Sequence, residues 1–185
     1  IKFGQLLSTR PDIVGEEMAN ELLVLQDSLP PFSKEVASHT IEAELGVEIN
    51  ETFEWVSEAK AAASLAQVHK AILKKDRREV AIKVLRPGIE KAFLKDIDAF
   101  FFIARLSEVF APSMRRLKPL KVVEHFKGIV LEELDLRMEL AAAAEFKSNT
   151  EKDDEFTVPS VLWELSTRRV MITEWVNGIP LSKRD

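Results

Sequence analysis

The hydrophobic period of the chain changes after Gly46, and this change limits the folds open to it. Before that glycine, apolar residues recur at the spacing of a helix face, as at Met18, Leu22, Leu25 and Leu29. After it come three short β-prone runs, at 53–58, 65–73 and 79–85, and the last two are separated by a charged turn. The pattern predicts helices followed by a three-stranded antiparallel meander.

Helical and strand patterns on either side of the meander complete the prediction. Pro30-Pro31 ends an expected helix that begins at Glu16, and a second helix is predicted between a Ser33 cap and a Gly46 stop. Long helical patterns return at 89–110 and 119–149, and two further strand candidates follow at 158–165 and 168–176. We expect a helical extension at 1–50 and, at 51–185, an α+β lobe with a five-stranded antiparallel sheet and inserted helices.

The composition excludes several classes of function. The chain has 185 residues, 46% of them hydrophobic, which suits one globular domain. Its net charge of −5 offers no basic surface for nucleic acid, and with no cysteine and three scattered histidines we expect no metal site. No apolar run approaches the roughly 20 residues that span a membrane. The chain begins with Ile1 and stops at Asp185 without a terminating motif, so we expect a soluble piece cut from a longer protein.

The run Val80-Ala81-Ile82-Lys83 is the sharpest local signal for chemistry. In protein kinases a strand of this type carries a lysine that neutralises the α and β phosphates of the nucleotide. A lysine on the polar face of an edge strand would give the same four residues, with its ammonium group in solvent. The run therefore needs support from its surroundings.

The segment Ala61-Ala62-Ala63-Ser64 supplies that support. It stands roughly 15 to 20 residues before the strand lysine, where kinases place a glycine-rich loop over the phosphates. Small side chains permit close approach of backbone to phosphate, although alanine lacks the freedom of glycine at positive φ. An alanine-rich β-turn that binds no ligand would have the same sequence pattern.

Two further motifs carry little weight in isolation. The first is an acidic helical pattern that contains Glu133, Asp135 and Glu139. Asp135 and Glu139 are four residues apart and are expected on one helix face. An acidic face of this kind is usually exposed to solvent and has no further role. Lys2 and Gln5, in Lys2-Phe3-Gly4-Gln5, are meaningful only together with the rest.

Taken in order, these four motifs closely resemble those of the UbiB/ABC1/ADCK atypical kinases, and the resemblance spans nearly the whole chain. It implies a protein-kinase-like amino-terminal lobe with a K-x-G-Q extension, and the opening residues look most like the bacterial branch. It also implies that Lys83 pairs with Glu139 as the catalytic pair. Lys2 and Gln5 would point toward Glu133 and Asp135 as regulatory residues.

The resemblance further implies a site for ATP or ADP. The stretch 170–176 looks like a kinase hinge strand, with Thr173 as gatekeeper and backbone groups of Glu174 and Val176 near adenine, although a plain buried strand would read the same. The other residues implied in nucleotide binding are Ala61, Ala62, Ala63, Ser64, Ala81 and Lys83. No H-R-D-like or D-F-G segment occurs, so we expect Mg²⁺ to need a missing carboxy-terminal lobe and this piece to be inactive alone.

The function implied by the family is that of an atypical kinase or ATPase supporting ubiquinone biosynthesis. The parent would act at the cytoplasmic face of the bacterial inner membrane, or in an organelle, with other ubiquinone-biosynthesis proteins or lipid as candidate partners. A non-catalytic module that binds nucleotide or lipid is the alternative. A purely structural helical adaptor would require all four motifs to be accidental.

Overall fold

A computed structural model describes residues 8, 11–23, 30–153 and 155–178 of the chain. The chain divides into two compact units, Ile1–Val84 and Leu85–Asp185. The expected boundary near residue 50, between a helical extension and a lobe, stays a prediction.

The first unit begins with helices. They are α1 (Pro11–Val14), α2 (Glu16–Leu23), α3 (Lys34–Leu45) and α4 (Ile49–Thr52). Both predicted ends of α3 are confirmed: the Ser33 side chain accepts a hydrogen bond from the N–H of Val36, and Gly46 adopts φ 72° and donates its N–H to the carbonyl of Glu42. That left-handed conformation costs glycine little, because it has no Cβ.

Three strands follow in the predicted order: β1 (Phe53–Ala62), β2 (Ala66–Leu73) and β3 (Glu79–Leu85). β1 and β2 pair antiparallel, from Phe53 opposite Leu73 to Ala62 opposite Gln67. Alternate residues of these strands form the apolar core of the unit, including Val56, Ala71, Leu73, Val80, Ile82 and Val84. The meander read from the sequence is therefore confirmed.

The second unit is mostly helical. Its helices are α5 (Ile89–Phe110), α6 (Pro119–Glu133) and α7 (Leu136–Asn149), with 3₁₀ turns at Pro112–Leu117 and Trp163–Leu165, and its strand is β4 (Val170–Glu174). Helices α5 and α6 pack through Phe126, whose ring meets those of Phe93 and Phe100 edge to face at centroid distances of 6.0 and 6.1 Å. Within the described ranges, no helix is both long and apolar enough to cross a membrane.

The single helix expected over 119–149 is wrong. It is interrupted after Glu133, because Asp135 takes extended backbone angles and caps the start of α7. The N–H of Leu136 then donates to the carbonyl of Arg168 at 2.9 Å. A backbone contact with a distant segment therefore accompanies the break.

The expected five-stranded sheet is also wrong, because the sheet has four strands, in the order β1-β2-β3-β4. The candidate strand at 158–165 makes only one isolated antiparallel bridge, between Val161 and Thr173, before the chain turns into the 3₁₀ helix at Trp163. Pro159 has no N–H to extend the ladder in the other direction. The α+β class itself holds.

Candidate functional site

Strand β3 determines where the candidate lysine lies. Val80, Ile82 and Val84 are fully buried, whereas Ala81 and Lys83 alternate with them and are half-buried on the opposite face. Because β3 stands between β2 and β4 in the strand order, it is not an edge strand. Lys83 therefore does not lie on an edge strand, and the residue as a whole is half-buried.

The alanine-rich segment forms the tip of the β1–β2 hairpin. Ala61 and Ala62 are the last residues of β1, and the N–H of Ala63 donates to the carbonyl of Ala66 at 2.7 Å, which closes the turn around Ser64 and Leu65. None of these residues has a positive φ. The turn therefore forms without a left-handed residue. This geometry is compatible with a phosphate-binding loop of small residues and equally with a β-turn that binds no ligand.

Glu133 and Asp135 lie at the junction of two helices. Glu133 is the last residue of α6, and Asp135 is the N-cap of α7. The Asp135 carboxylate accepts hydrogen bonds from the N–H of Arg137 at 3.1 Å and from its guanidinium Nε and Nη2 at 2.9 and 2.6 Å. Hydrogen bonding from the Arg137 side chain holds the pKa of Asp135 below its usual value.

This junction changes the expected relation between Asp135 and Glu139. The prediction that these two residues share one helix face is wrong. Asp135 precedes α7, and Glu139 lies in the exposed first turn of that helix. The pairing of Lys83 with Glu139 would join one compact unit to the other, and it stays a prediction. Lys2 and Gln5 lie outside the described residues, so their approach to Glu133 and Asp135 also stays a prediction.

The candidate hinge strand is confirmed as a strand. Thr173 is buried in β4, and the Glu174 N–H donates to the Ser160 carbonyl at 2.9 Å, while the Ser160 N–H donates to Glu174 Oε2 at 2.8 Å. The Glu174 N–H is thus engaged with the 158–165 segment. Val176 lies two residues beyond the end of β4 and is exposed. Adenine binding by these groups stays a prediction.

A buried polar cluster on β1 and β2 was missed by the sequence reasoning. Ser57, Gln67 and His69 are only 3, 1 and 0% exposed, although Ser and Gln are usually found at the surface and His is intermediate. The pKa of His69 is lowered by burial, which outweighs the opposing effects of the Ser57 carbonyl and Glu58. The available signal was that Gln67, His69, Ala71 and Leu73 fall on one face of the strand by alternation.

Comparisons with known proteins support the family that the motifs indicate. The family model for the ABC1 atypical kinase-like domain matches residues 24–185. The "Probable protein kinase UbiB" of Aliivibrio fischeri is 41% identical over 183 residues, which are 98% of this chain and 34% of that protein. Proteins of the same name from Pseudomonas paraeruginosa and Aeromonas hydrophila are each 42% identical over 98% of this chain and 34% of their own length.

The chain thus spans about a third of the length of the curated relatives it matches, 34% in each case. The family model, by contrast, extends over residues 24–185 and so covers the meander, the inserted helices and the strand after them. The motifs, the α+β fold and this match agree, and the chain belongs to the family of ABC1 atypical kinase-like domains.

Proposed function

We propose that this chain is the nucleotide-binding lobe of an atypical kinase or ATPase, with ATP or ADP as its ligand. The observation that carries the proposal is the half-buried Lys83, beside Ala81 on the less buried face of an internal strand. A cation in a partly dehydrated position attracts phosphate more strongly than one in bulk water, because the effective dielectric is lower. The family match supports a kinase-like use of this lysine.

The residues present fit a polyphosphate nucleotide. Lys83 would neutralise the α and β phosphates, and the turn at Ala63 and Ser64 has side chains small enough for the backbone to approach them. Glu139 would hold the lysine in place, and backbone groups of the hinge segment at Glu174 and Val176 would orient adenine. When bound, the nucleotide supplies the phosphoryl group, and the protein's residues bind and orient it.

The described acidic residues and histidines of this lobe do not form a ready set of metal ligands. In the part of the chain that the structure describes, no three His, Asp or Glu side chains are grouped so that they could hold a metal ion. The sequence also contains no H-R-D-like or D-F-G segment, which kinases use for the base and for Mg²⁺. We therefore expect the 185 residues to bind nucleotide without measurable phosphate release.

The wider role proposed for the whole protein is support of ubiquinone biosynthesis at a membrane. The family resemblance of the four motifs implies that role, and the name of the relatives describes a probable protein kinase. A non-catalytic module that responds to nucleotide or lipid is the second candidate, since a half-buried Lys83 could bind nucleotide whether or not phosphoryl transfer follows. Phosphate release by the full-length protein separates the two.

The test of nucleotide binding is a titration of the full-length protein with ATP and ADP. We expect Lys83→Met to weaken binding strongly, because the variant loses the cation that faces the phosphates. Lys75→Met is the matched control, since Lys75 lies in the exposed turn between β2 and β3. Equal affinities for the Lys83→Met variant and the unmodified protein would overturn the proposal.

A further inference from the structure

The buried polar cluster of the first unit connects two segments far apart in sequence. The N–H of Phe32 donates to Oε1 of Gln67 at 2.9 Å, and Nε2 of Gln67 donates to the carbonyl of Phe32 at 3.1 Å, across 35 positions of sequence. Both backbone groups of Phe32 are thus paired with one side-chain amide. These two bonds also determine which end of the amide carries oxygen, because a backbone N–H needs an acceptor and a carbonyl needs a donor.

The orientation of that amide in turn determines the tautomer of His69. Gln67 Nε2 and His69 Nε2 are 2.8 Å apart, and the amide nitrogen is a donor only, so His69 Nε2 must accept. The proton of the neutral ring is then on Nδ1, which lies 2.9 Å from the Ser57 carbonyl and donates to it. With the ring neutral and its proton on Nδ1, the Phe32 backbone groups, the Gln67 amide and both ring nitrogens of His69 all have hydrogen-bond partners.

We infer that Gln67 and His69 are positioning residues, which clamp the segment 30–33 to the β1–β2 hairpin and thereby hold the alanine-rich turn in place for the nucleotide. Gln67 stands directly opposite Ala62 in the ladder, and His69 stands opposite Ala59. A displacement of Phe32 would therefore shift Gln67 and, through the ladder, its partner Ala62, which precedes the turn. The inference rests on the proposed function, because it takes the turn to be the phosphate-binding element.

Protonation of His69 would open this clamp. A proton on Nε2 would face the amide NH₂ of Gln67, so the amide would have to reverse to present its oxygen. The reversed amide would then place its NH₂ against the N–H of Phe32 and its oxygen against the carbonyl, and both bonds would be lost. Other charged groups that act on the ring are Glu58 of β1, which favours protonation, and Lys34 of α3, which opposes it.

The first experiment measures hydrogen exchange and nucleotide affinity in the full-length protein carrying Gln67→Met. This change keeps the length of the side chain but removes both bonds to Phe32. We expect exchange in a peptide covering 30–36 to become about tenfold faster or more, since two hydrogen bonds are lost. We expect a several-fold weaker affinity for ADP as well.

Thr40→Val is the matched control for this variant. Thr40 is also buried and donates its Oγ1–H to the Val36 carbonyl at 2.8 Å, but it does not belong to the clamp. Both exchange at 30–36 and ADP affinity should stay close to those of the unmodified protein. Unchanged exchange in Gln67→Met would overturn the clamp itself.

The outcomes separate this inference from the proposed function. Faster exchange in Gln67→Met with unchanged ADP affinity would overturn the positioning role, while the Lys83→Met titration would still report on nucleotide binding. An unmodified protein that binds no nucleotide would overturn both the proposed function and the positioning role.

A second arm needs no change to Gln67 and uses pH. In the unmodified protein, exchange at 30–36, corrected for its intrinsic pH dependence, should rise as the pH falls below about 6.5. The opened ring has the ordinary pKa of histidine and binds the proton more readily than the buried ring, whose pKa is lower. His69→Gln offers an uncharged acceptor near the Nε2 position and does not titrate, so its corrected exchange should stay slow across the same range. The same pH response in both proteins would overturn the role of His69.

Discussion

At the scale of single residues, Asp135 has a structural role in addition to its proposed regulatory one. Asp135 caps α7 and holds the Arg137 guanidinium, so its carboxylate already has partners on its own helix. A carboxylate engaged in this way serves the stability of the helix start, whatever else it does. Its proposed regulatory role therefore has to be tested apart from its structural one.

We predict that Asp135→Ala lowers the free energy of unfolding by about 1 kcal/mol, the usual cost of a lost N-cap, and that Asp135→Asn lowers it less. Asparagine keeps an oxygen that can accept the N–H of Arg137, whereas alanine keeps none. Denaturant titration of the full-length protein measures both values. Equal losses for the two variants would contradict the capping role.

The contribution of Asp135 should also depend on pH in a defined direction. Its pKa in the folded protein is lowered from the ordinary value of 3.8, chiefly by the Arg137 hydrogen bond. The unfolded state therefore binds the proton first, so the stabilisation is complete above that ordinary value and is lost as the pH falls through the lower folded value. In Asp135→Asn, this part of the acid-induced loss of stability should be absent.

Among the elements, the β1–β2 hairpin links the fold most directly to the proposed chemistry. Its strands pair from Phe53 to Ala62, and its tip closes through the Ala63 N–H without a positive φ. Because alanine has less backbone freedom than glycine, we expect this tip to be stiffer than a glycine-rich loop. We expect this stiffness to affect which nucleotide is preferred.

We predict that Ala62→Gly in the full-length protein changes the relative affinities for ATP and ADP, because glycine adds backbone freedom next to the turn. Ala92→Gly, on the exposed side of α5, is the control, since glycine in a helix costs stability by about 1 kcal/mol without touching the hairpin. Isothermal titration with both nucleotides measures the effect. Identical affinities in the Ala62→Gly variant would remove the turn from the mechanism.

On the scale of the whole molecule, the two residues of the predicted ion pair belong to different compact units. Lys83 belongs to the unit that ends at Val84, and Glu139 to the unit that begins at Leu85. If the two residues pair, the effects of changing them on nucleotide binding should be coupled. Such coupling is measurable in solution.

We predict that Lys83→Met and Glu139→Gln are strongly non-additive in their effects on ADP affinity. If the carboxylate acts by holding the lysine, its removal matters little once the lysine is gone, and the double variant should resemble Lys83→Met alone. The control is Glu145→Gln, an exposed glutamate of the same helix. Additive effects of the first two changes would contradict the pairing.

The amino-terminal motif makes a separate prediction for the whole molecule. If Lys2 meets Glu133 in a partly dehydrated site, the pair contributes more than the roughly 0 to 1 kcal/mol of an exposed salt bridge. Lys2→Ala should then alter nucleotide affinity and also the effect of Glu133→Ala. Should the cycle show no coupling and Lys2→Ala leave the affinity unchanged, the predicted approach of Lys2 to Glu133 is wrong.

Features with local causes followed from the sequence alone. The Ser33 cap and Gly46 stop of α3 depend on hydrogen bonds within a few residues, and the meander depends on alternation along each strand. The order of the four motifs likewise indicated the family that the comparison then established.

The tertiary structure decided the features whose causes lie far apart in the chain. Gln67 and Phe32 meet across 35 residues, Leu136 bonds to Arg168, and the 158–165 segment pairs with β4 at one bridge only. None of these contacts leaves a local pattern, because a backbone or amide hydrogen bond between distant segments places no periodicity in either. Only the folded chain brings such donors and acceptors within reach of each other.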